Sequence, residues 1–481
     1  MFKKKIIIIL ISLILLILIL MFLAIGLGKS KKVKNLIGEE NVYFIKTKFF
    51  PYKYINDLKS YNEDLKRQIY NLNNEKKILN SKVGKLIQFN NNANSIKNYE
   101  LNEKNSLNDL IFSKLEKISL KSELNEFILL KLKNNQLTYG INDFYPGSGY
   151  IDIYKNKIWL LSARGILGYG NLGENEITFL QIKNNLDDFL GIDQISEDNW
   201  FSFKDLKIFN KKIFISFTDE ISENCWNTSI IFGELNYELI DFEYFFKPKE
   251  CVHSKNNLDQ EFNAHQSGGR IINVGNEKIL FSIGDYRSRH LAQNKDSVNG
   301  KIITINVNNK TFELLSMGHR NPQGLYFDKE EQIILETEHG PSGGDEINII
   351  NFANNLSIPN YGWPIASYGE HYGNKEANKN KYKKYPLYKS HKEHGFIEPI
   401  MYDHLGISEI TRIKDRTYVV SSLGSKILIF FKLKKNNSIE ILDKVKVYER
   451  IRDIKFHNDK LYLFLEDTAS IGIINLKTFN F

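Results

Sequence analysis

The sequence predicts an all-β protein, a six-bladed β-propeller, and two observations support this prediction. From about Leu107 onward, apolar and polar residues alternate with a period of two, which is typical of strands that bury one face. A unit of two alternating strands joined by a polar turn also recurs along this part of the chain. One such hairpin per blade predicts a propeller, whereas the alternative, a β-sandwich array, does not explain the repetition. The second strands of the six units begin near Ile158, Ile213, Ile279, Ile333, Tyr418 and Leu461.

Charge is distributed unevenly along the 481 residues, whose net charge is +8. Residues 1–105 contain 19 Lys or Arg and 8 Asp or Glu, a balance of +11, so the remaining residues carry −3. The basic character therefore belongs to an N-terminal stem. We expect that the predicted propeller, residues 106–481, does not bind nucleic acid.

The N-terminus predicts a membrane anchor. Ile6 to Leu27 is a run of 22 residues without a charge, which is long enough to span a bilayer, and no small-residue cleavage site of the signal-peptide type accompanies it. We interpret residues 1–34 as an uncleaved signal-anchor. Lysines flank the run on both sides, so charge does not orient it. Because a signal-anchor usually exports the chain on its C-terminal side, we expect a single-pass membrane protein with its propeller on the periplasmic, or extracytoplasmic, side.

Residues 53–89 carry a heptad pattern that predicts a coiled-coil stalk. Eight of its ten a and d positions are apolar, and the polar Asn62 and Lys76 both fall at a positions, where they can fix register. We therefore expect a homo-oligomer, while a single amphipathic helix is the alternative. The Asn-rich residues 90–105 are interpreted as a linker. The ten positions are Ile55, Leu58, Asn62, Leu65, Ile69, Leu72, Lys76, Leu79, Val83 and Leu86.

The two cysteines, Cys225 and Cys251, flank a predicted hairpin that turns near Asn236–Glu238. They lie at equal distances from that turn, so they would face each other across the hairpin. We expect a disulfide if the compartment is oxidising, and two buried thiols otherwise.

Two stretches concentrate residues that suit a binding site: "MGHRNPQGL" (317–325) and "TEHGPSGGDEINII" (337–350). The Gly340–Pro341 pair restricts the backbone, and aligned backbone carbonyls are good ligands for calcium. Arg320 has a permanent charge that suits an anion or a developing oxyanion. Asp345 and Glu346 could hold the loop or an arginine.

Further candidates come from other blades. His265, in "NAHQSGGR", precedes a predicted strand, and histidine is the side chain best suited to proton transfer near neutral pH. Arg450 and Arg452, in "RIRDI", lie two residues apart on one face of a strand and form a candidate carboxylate site. Each residue also has a purely structural interpretation. Their combination favours one site where the loops of several blades converge.

The motifs "HQSGGR", "GHRNPQGL", "HGPSGGDEIN", "NYGWP" and "RIRDI" occur in the order found in the PQQ-dependent glucose/sorbosone dehydrogenase family, which the chain resembles over roughly residues 140–480. The resemblance implies a six-bladed propeller that binds PQQ and calcium. It also implies an aldose dehydrogenase that takes a hydride from the sugar C1 and passes electrons to a membrane acceptor.

The resemblance also implies roles for individual residues. His265 matches the family's catalytic base. Arg320 matches the arginine that stabilises charge on the reduced quinone, and Asn321 is its neighbour at the cofactor. Asp345 matches the acid that orients this arginine, and the carbonyls of Gly340–Pro341 match those that hold the calcium ion.

The remaining matches concern the cofactor. Arg450 and Arg452 match the arginines that bind the PQQ carboxylates, and Tyr402 matches an aromatic position near the cofactor. Gly424, however, stands where the family usually has a lysine, and no tryptophan follows Tyr402. These departures favour an alternative: an inactive propeller that binds carbohydrate or protein as the head of a stalk. A calcium-dependent hydrolase of the lactonase type is a third hypothesis, which expects acidic metal ligands in the channel.

Overall fold

The computed structural model describes residues 110–112, 114–133, 148–173, 177–191, 194, 201–275, 277–352 and 357–479, together with isolated helical positions between residues 12 and 72. The chain forms two compact units, Met1–Val83 and Gly84–Phe481. Most of the first unit lies outside the described residues. The second unit contains all the described strands.

The second unit is built from short antiparallel strands. In chain order they are β1 (Leu110–Phe112), β2 (Lys114–Lys121), β3 (Glu126–Lys133), β4 (Gly149–Tyr154), β5 (Lys157–Ser162), β6 (Leu167–Asn171), β7 (Ile177–Gln181), β8 (Lys183–Asn184), β9 (Phe203–Phe209), β10 (Lys212–Ser222), β11 (Cys225–Glu234), β12 (Leu239–Ile240), β13 (Glu243–Phe246), β14 (Val252–His253), β15 (Gly268–Val274), β16 (Lys278–Ile283), β17 (Lys301–Asn306), β18 (Phe312–Met317), β19 (Pro322–Asp328), β20 (Ile333–Glu338), β21 (Asp345–Asn351), β22 (Met401–Asp403), β23 (Ile407–Lys414), β24 (Thr417–Ser422), β25 (Ile427–Leu433), β26 (Ile439–Lys446), β27 (Ile451–His457), β28 (Lys460–Leu465) and β29 (Ser470–Asn475).

Across the described residues these strands form the six blades of a propeller, which confirms the predicted fold class. From the inner to the outer strand, blade I is β4-β5-β6-β7-β1 and blade II is β9-β10-β11-β13, with β14 also paired to β11. Blade III is β15-β16-β17-β18, blade IV is β19-β20-β21-β22 and blade V is β23-β24-β25-β26. Blade VI is β27-β28-β29-β3-β2. The short strands β8 and β12 form a separate parallel pair.

Helical segments are short and lie between the strands. Within the described part of the second unit there is one α-helix, α1 (Lys379–Lys384). The 3₁₀ turns are Leu186–Asp188, Ala264–Gln266, Arg289–Gln293 and Lys392–His394.

The hairpin at the start of each blade lies where the sequence predicts it. The second strands, β5, β10, β16, β20, β24 and β28, begin within one residue of the predicted positions. Hairpins such as Lys155–Asn156 and Asn458–Asp459 turn through two residues with positive φ. This is the turn geometry that matches the right-handed twist of the strands and that asparagine tolerates.

The propeller closes by pairing both ends of the described second unit in blade VI. Strand β3 pairs with β29, with Leu132 opposite Ile471 and Leu130 opposite Ile473. The inner strands contact their neighbours around the whole ring, and β27 contacts β4 to complete it. Each interface between adjacent blades holds its own cluster of buried apolar side chains. Closure therefore depends on residues more than 300 positions apart.

Carboxylates on the inner strands join neighbouring blades. Asp152 accepts a hydrogen bond from the amide of Ile208 at 2.8 Å, and Asp205 accepts one from Ile271 at 2.8 Å. Asp453 completes the series with the amide of Ile151 at 2.9 Å. A backbone amide that points into the channel is thus satisfied by the adjacent blade, as buried polar groups require.

Arg270 is the cation at the centre of this ring. Its Nη1 lies 2.8 Å from Asp205, 2.8 Å from Glu409 and 3.3 Å from Asp453, and all four side chains are buried. Gly324 occupies the equivalent position of blade IV, where a Cβ would lie 2.5 Å from the carbonyl oxygen of Ser408. Four blades therefore share one buried ionic cluster.

A disulfide joins Cys225 to Cys251, with Cα atoms 5.3 Å apart, which confirms the predicted pairing. Cys225 begins β11, and Cys251 immediately precedes β14, which pairs with β11. The bridge fixes the returning segment of blade II to its third strand.

The prediction of a single-pass membrane protein with an extracytoplasmic propeller is corrected. In the part of the chain that the structure describes, no helix has the length and apolar character needed to cross a membrane. The six polar residues of α1, at about 1.5 Å each, extend far less than the roughly 30 Å of a hydrocarbon core. The predicted anchor itself, residues 1–34, lies outside the described residues except for residues 12 and 13.

The predicted stalk, residues 53–89, also lies largely outside the described residues. Asn62, Leu65, Ile69 and Leu72 are described and are helical, as the heptad pattern predicts. The coiled coil, the oligomer, the linker at residues 90–105 and the boundary at residue 106 stay predictions.

Replacing the central cation should destabilise the whole ring. Arg270→Met leaves Asp205 without an ion pair, and it leaves Glu409 and Asp453 with Lys455 alone. We therefore expect a loss of about 3–5 kcal/mol in the free energy of unfolding, measured by urea denaturation. Lys434→Met is the control, because it removes a solvent-exposed pair with Glu440 and should cost less than about 1 kcal/mol. Equal losses in the two variants would refute a structural role for the cluster.

Removing the disulfide should lower stability, because the unfolded chain without the cross-link has more conformational freedom to lose on folding. We expect the double variant Cys225→Ser/Cys251→Ser to lose about 2–4 kcal/mol in the free energy of unfolding under oxidising conditions. A reductant should shift the urea midpoint of the wild type to that of the variant and leave the variant unchanged. A wild-type midpoint that does not respond to reductant would contradict this expectation.

Candidate active site

The predicted site residues, except Tyr402, gather at one end of the channel, which we call the channel mouth. In each blade the first two strands are antiparallel, so the start of the inner strand lies beside the end of the second strand. Backbone hydrogen bonds join these two points. The amide of Glu466 donates to the carbonyl of Arg450 at 2.8 Å, and the amide of His339 donates to the carbonyl of Asn321 at 3.1 Å. Residues that are far apart in sequence are thereby placed around a common opening.

His265 lies in the 3₁₀ turn just before β15. The turn is fixed by Asn263, whose Oδ1 accepts the amide of His265 at 2.9 Å. Burial, followed by the charges of Arg287 and Arg320, lowers the pKa of His265 well below 6.5. Its imidazole is therefore neutral at neutral pH and can accept a proton.

Arg320 is held at the start of β19 by the neighbouring loop and by aromatic rings. Its Nη1 donates to the carbonyl of His339 at 2.7 Å. Its guanidinium carbon lies 5.4 Å from the ring of Trp363, which belongs to the "NYGWP" motif, and 5.7 Å from the ring of Tyr372. The motif thus forms part of the support beneath Arg320, with a geometry that suits cation–π attraction.

Gln266 links two arginines at the mouth. With its amide oriented to satisfy its surroundings, its oxygen accepts from Arg320 Nη2 at 2.8 Å and from Arg287 Nε at 3.0 Å. Its nitrogen then donates to Asp285 at 3.0 Å. Two like charges are thereby kept close together in a partly buried place.

Asp345 organises the Gly340–Pro341 loop. Its Oδ1 accepts the amide of Gly340 at 3.1 Å, and its Oδ2 accepts the amides of Leu405, at 2.9 Å, and of Gly406. The structure therefore places this carboxylate on backbone amides rather than on the guanidinium of Arg320. It fixes the direction of the loop that carries the predicted calcium carbonyls.

Arg450 and Arg452, the arginine pair, share a buried carboxylate. Arg450 Nε lies 2.7 Å from Glu466 Oε2, and Arg452 Nη2 lies 2.6 Å from Glu466 Oε1. Burial alone would raise the pKa of Glu466, but Arg452 and Arg450 lower it to about 2. Glu466 therefore stays ionised and orients both guanidinium groups.

His339 marks the point where the cations converge. Burial lowers its pKa to about 4, and Arg452, Arg320 and Arg450 all contribute in the same direction. Arg320 of blade IV contacts the carbonyl of His339 at 2.7 Å, and the arginine pair of blade VI acts on the imidazole through its charge. The sequence did not identify His339 as a meeting point, although it begins the "HGP" motif.

Asn321 takes part in a chain of hydrogen bonds across the channel. Its Oδ1 accepts the amide of Gly268 at 3.1 Å and the side-chain amide of Gln323 at 3.0 Å. Gln323 in turn accepts from Arg452 Nη1 at 3.3 Å. This chain connects blades III, IV and VI.

Tyr402 is not brought to the channel mouth. It lies on β22, the outer strand of blade IV, with 52% of its surface exposed, and its ring stacks on Tyr368 at 3.8 Å. Tyr372, which no sequence motif singles out, lies beside Arg320 together with Trp363.

Two clefts open at the mouth on either side of Pro341 and Tyr372, which line both. The His339 cleft has a volume of about 340 Å³ and is lined by His339, Pro341, Ser342, Gly343, Asp345, Tyr372, His404, Gly406, Gly424 and Ser425. The Arg287 cleft has a volume of about 220 Å³ and is lined by Glu261, Arg287, Arg289, Arg320, Pro341, Trp363, His371, Tyr372 and Lys381.

Lys204 is a cation that sequence reasoning missed. It lies on β9, it is buried, and its Nζ is 3.4 Å from the carbonyl of Ala264, next to His265. Burial, with a contribution from Arg452, lowers its pKa to about 7. A lysine within an alternating strand carries no sequence signal that distinguishes a channel position from a surface position.

Buried acids support the mouth from below. Among the described residues, the candidate ligand atoms of His319, Glu336 and Glu338 lie within 4.8 Å of one another, a grouping that could hold a metal ion. His319 Nδ1 is 3.1 Å from Glu338, which also accepts the amide of Arg320 at 3.2 Å. These contacts position the backbone of Arg320.

The geometry agrees with comparisons to known proteins. The sequence profile of the glucose/sorbosone dehydrogenase family matches residues 207–475, more than half of the chain. The match runs from within β9 to the end of β29. It includes the described candidates at the mouth, from His265 to Arg452.

Curated relatives match over shorter regions. The aldose sugar dehydrogenase YliI of Escherichia coli is 27% identical over 179 residues, which are 34% of this chain and 44% of that protein. Quinoprotein glucose dehydrogenase B of Acinetobacter calcoaceticus is 33% identical over 145 residues, 24% of this chain and 29% of that protein. The matched regions thus span less than half the length of these relatives.

Solved structures agree with the fold. The soluble aldose sugar dehydrogenase of Escherichia coli superposes with a TM-score of 0.53 at 18% identity and covers 75% of this chain and 99% of that one. The PQQ-bound aldose sugar dehydrogenase of Streptomyces coelicolor gives a TM-score of 0.51 at 16% identity, covering 77% and 99%. At these identities the likeness concerns the architecture.

Mild acid should weaken the protein through His371, which lines the Arg287 cleft. Burial lowers its pKa to about 4. The unfolded chain takes up this proton near pH 6.5 and the folded chain only near pH 4, so the stability contribution falls as the pH drops between these values. In His371→Gln the amide can still donate to the carbonyl of Tyr385. We expect this variant to lose roughly 2–3 kcal/mol less of the free energy of unfolding over this pH range than the wild type.

The measurement is urea unfolding of both proteins at several pH values from about 7.5 to about 4, the range in which the imidazole titrates. His394→Gln, which changes an exposed histidine, serves as the control and should follow the wild-type pH dependence. If His371→Gln also shows the wild-type pH dependence, the folded protein protonates this imidazole as readily as the unfolded chain does, and the prediction is wrong.

Proposed function

Because the chain belongs to the glucose/sorbosone dehydrogenase family, we propose that it is a PQQ-dependent dehydrogenase that oxidises the C1 hydroxyl of an aldose. The observation that carries the proposal is the convergence of a neutral histidine and several fixed cations at one channel mouth. His265 and His339 both have lowered pKa values, because they are buried and because Arg320 and its neighbours surround them. A proton acceptor beside an anion-binding group is what this reaction requires.

The residues at the mouth fit a planar tricarboxylate such as PQQ. Arg320, Arg450 and Arg452 would bind its carboxylates and quinone oxygens, and Lys204 adds a buried amine near the same point. Gly406 and Gly424 line the His339 cleft without side chains, and a Cβ on Gly406 would lie 2.6 Å from the amide nitrogen of Gly424. The departure at Gly424 thus leaves a cleft wall that a flat ring can approach.

The loop at the mouth fits a calcium ion. The carbonyls of Gly340 and Pro341 would hold it, since backbone carbonyls are ligands that calcium accepts. Asp345 holds this loop through the amides of Gly340 and Leu405. Asp345 therefore acts as a positioning residue for the carbonyls.

When bound, calcium-activated PQQ supplies the acceptor for the hydride that leaves C1 of the sugar. His265 would take the proton of the C1 hydroxyl, because its imidazole is neutral at neutral pH. Arg320 would stabilise the negative charge that develops on the acceptor, because its guanidinium cannot lose its proton. The carbonyl of His339 and the ring of Trp363 hold Arg320 in place.

Two observations favour a second candidate, a propeller that binds carbohydrate or protein without catalysis. Glu466 already neutralises part of the arginine pair, and the family's lysine is replaced by Gly424. Both features would weaken the binding of a tricarboxylate. An inactive head would retain the channel mouth but not bind PQQ.

The test is a titration of PQQ, with calcium, into the full-length protein, followed by a panel of aldoses with an artificial electron acceptor. We expect saturable PQQ binding and sugar-dependent reduction of the acceptor. His265→Ala should retain PQQ binding and lose about 10²–10⁴-fold in kcat. Arg452→Met should weaken PQQ binding instead.

His394→Ala is the matched control, since this histidine is exposed, stacks on Tyr388 and lines neither cleft. It should behave as the wild type. Folded, calcium-replete protein that does not bind PQQ would refute the dehydrogenase proposal and favour the non-catalytic candidate.

A further inference from the structure

The Arg287 cleft carries a strong excess of positive charge. Among the described residues that line it, Arg287, Arg289, Arg320 and Lys381 are cationic and Glu261 is acidic, so these side chains sum to +3. His371 adds no charge at neutral pH, because burial keeps its pKa near 4. A concave site with this balance attracts anions.

Part of this charge is already compensated within the cleft. Glu261 lies 2.5 Å from Arg289 Nη2 and also pairs with Lys381. Arg289 lies a further 3.7 Å from Asp259. Arg289 and Lys381 are therefore ion-paired, and Glu261 acts on Arg287 only as a more distant charge.

Arg287 and Arg320, which also line the cleft, form no ion pair with any residue in the described part of the chain. Both donate to the neutral amide oxygen of Gln266. Asp285, which adjoins them, accepts the amide of Arg287 at 2.8 Å and the indole of Trp363 at 2.8 Å rather than a guanidinium group. Two guanidinium groups thus meet at the cleft without a carboxylate between them.

The cleft lies beside the proposed catalytic base. Gln266, the residue after His265, accepts from Arg320 at 2.8 Å and from Arg287 at 3.0 Å, and the charges of both arginines lower the pKa of His265. Arg320 and Pro341 belong both to this cleft and to the residues proposed for the cofactor. A molecule whose reacting carbon is near His265 would therefore place another part of its structure against Arg287.

We propose that the sugar substrate carries an anionic group, a carboxylate or a phosphate ester, and that Arg287 binds it and determines this specificity. This inference rests on the proposed dehydrogenase function. Arg287 is suited to the role because a guanidinium can bind carboxylate or phosphate through two parallel hydrogen bonds. A neutral aldose would leave the charge of the cleft unmatched.

The kinetic test compares glucose, glucuronate and glucose 6-phosphate in the wild type and in Arg287→Gln. We expect the wild type to prefer an anionic sugar. In the variant, KM for the preferred anionic sugar should rise about 10-fold or more relative to KM for glucose. Any change in kcat that arises from the pKa of His265 should be the same for both substrates. The comparison between glucuronate and glucose 6-phosphate identifies which anionic group the cleft accepts.

Arg287→Lys should recover part of the preference because it restores the charge. Arg416→Gln is the control. Arg416 lies in the β23–β24 turn of blade V and pairs with Glu331 in the β19–β20 turn of blade IV, at the end opposite the mouth. The kinetics with all three substrates should therefore be unaffected. An equal loss of kcat/KM for glucose and for the anionic sugars in Arg287→Gln would overturn the assignment. Weaker PQQ binding in Arg287→Gln would overturn it as well, because Arg287 would then serve the cofactor.

A second readout separates this inference from the dehydrogenase proposal. Calorimetric titration of glucuronate and glucose 6-phosphate into the full-length protein without PQQ should show binding that weakens with salt and with Arg287→Gln. Such binding without any PQQ-dependent activity would support the anion site and refute only the proposed function. Dye reduction with neutral aldoses and no anion binding would refute only the inference.

Discussion

The buried cluster around Arg270 is the interaction on which the rest of the structure depends. It joins the inner strands of blades II, III, V and VI, and the channel carboxylates extend the connection through backbone amides to their neighbours. A buried charge is tolerated only when it is fully paired, so the cluster allows little displacement of one blade relative to another. His265 lies five residues before Arg270, and Arg452 is next to Asp453. The cluster therefore also fixes the positions of these two site residues.

The same excess of cations explains several properties of the channel mouth. Arg287, Arg320 and the arginine pair help to keep the nearby imidazoles neutral, and they leave positive charge where an anion can bind. Glu466 limits the repulsion between the arginines and orients them, at the expense of some attraction for a ligand. Proton transfer and anion binding are therefore two consequences of one arrangement of charge.

Much of this site could be predicted from the sequence, and the failures have physical causes. His265, Arg320 and Arg452 lie in motifs with distinctive neighbours, and the structure brings them to one mouth. Tyr402 lies on an outer strand instead, because strand order within a blade decides which aromatic residues face the channel. Glu466 was missed because a carboxylate at a strand end resembles any surface turn until its partners are known.

The sequence by itself determined the six hairpins, the position of the cysteine pair and the identity of the principal cations, because strand periodicity, turn chemistry and fixed charge are local properties. Only the tertiary structure decided that β3 completes blade VI, that Asp345 binds backbone amides and that Arg287 faces a cleft beside His265. These depend on which strands become neighbours when the ring closes. Contacts between residues hundreds of positions apart leave no trace in local sequence pattern.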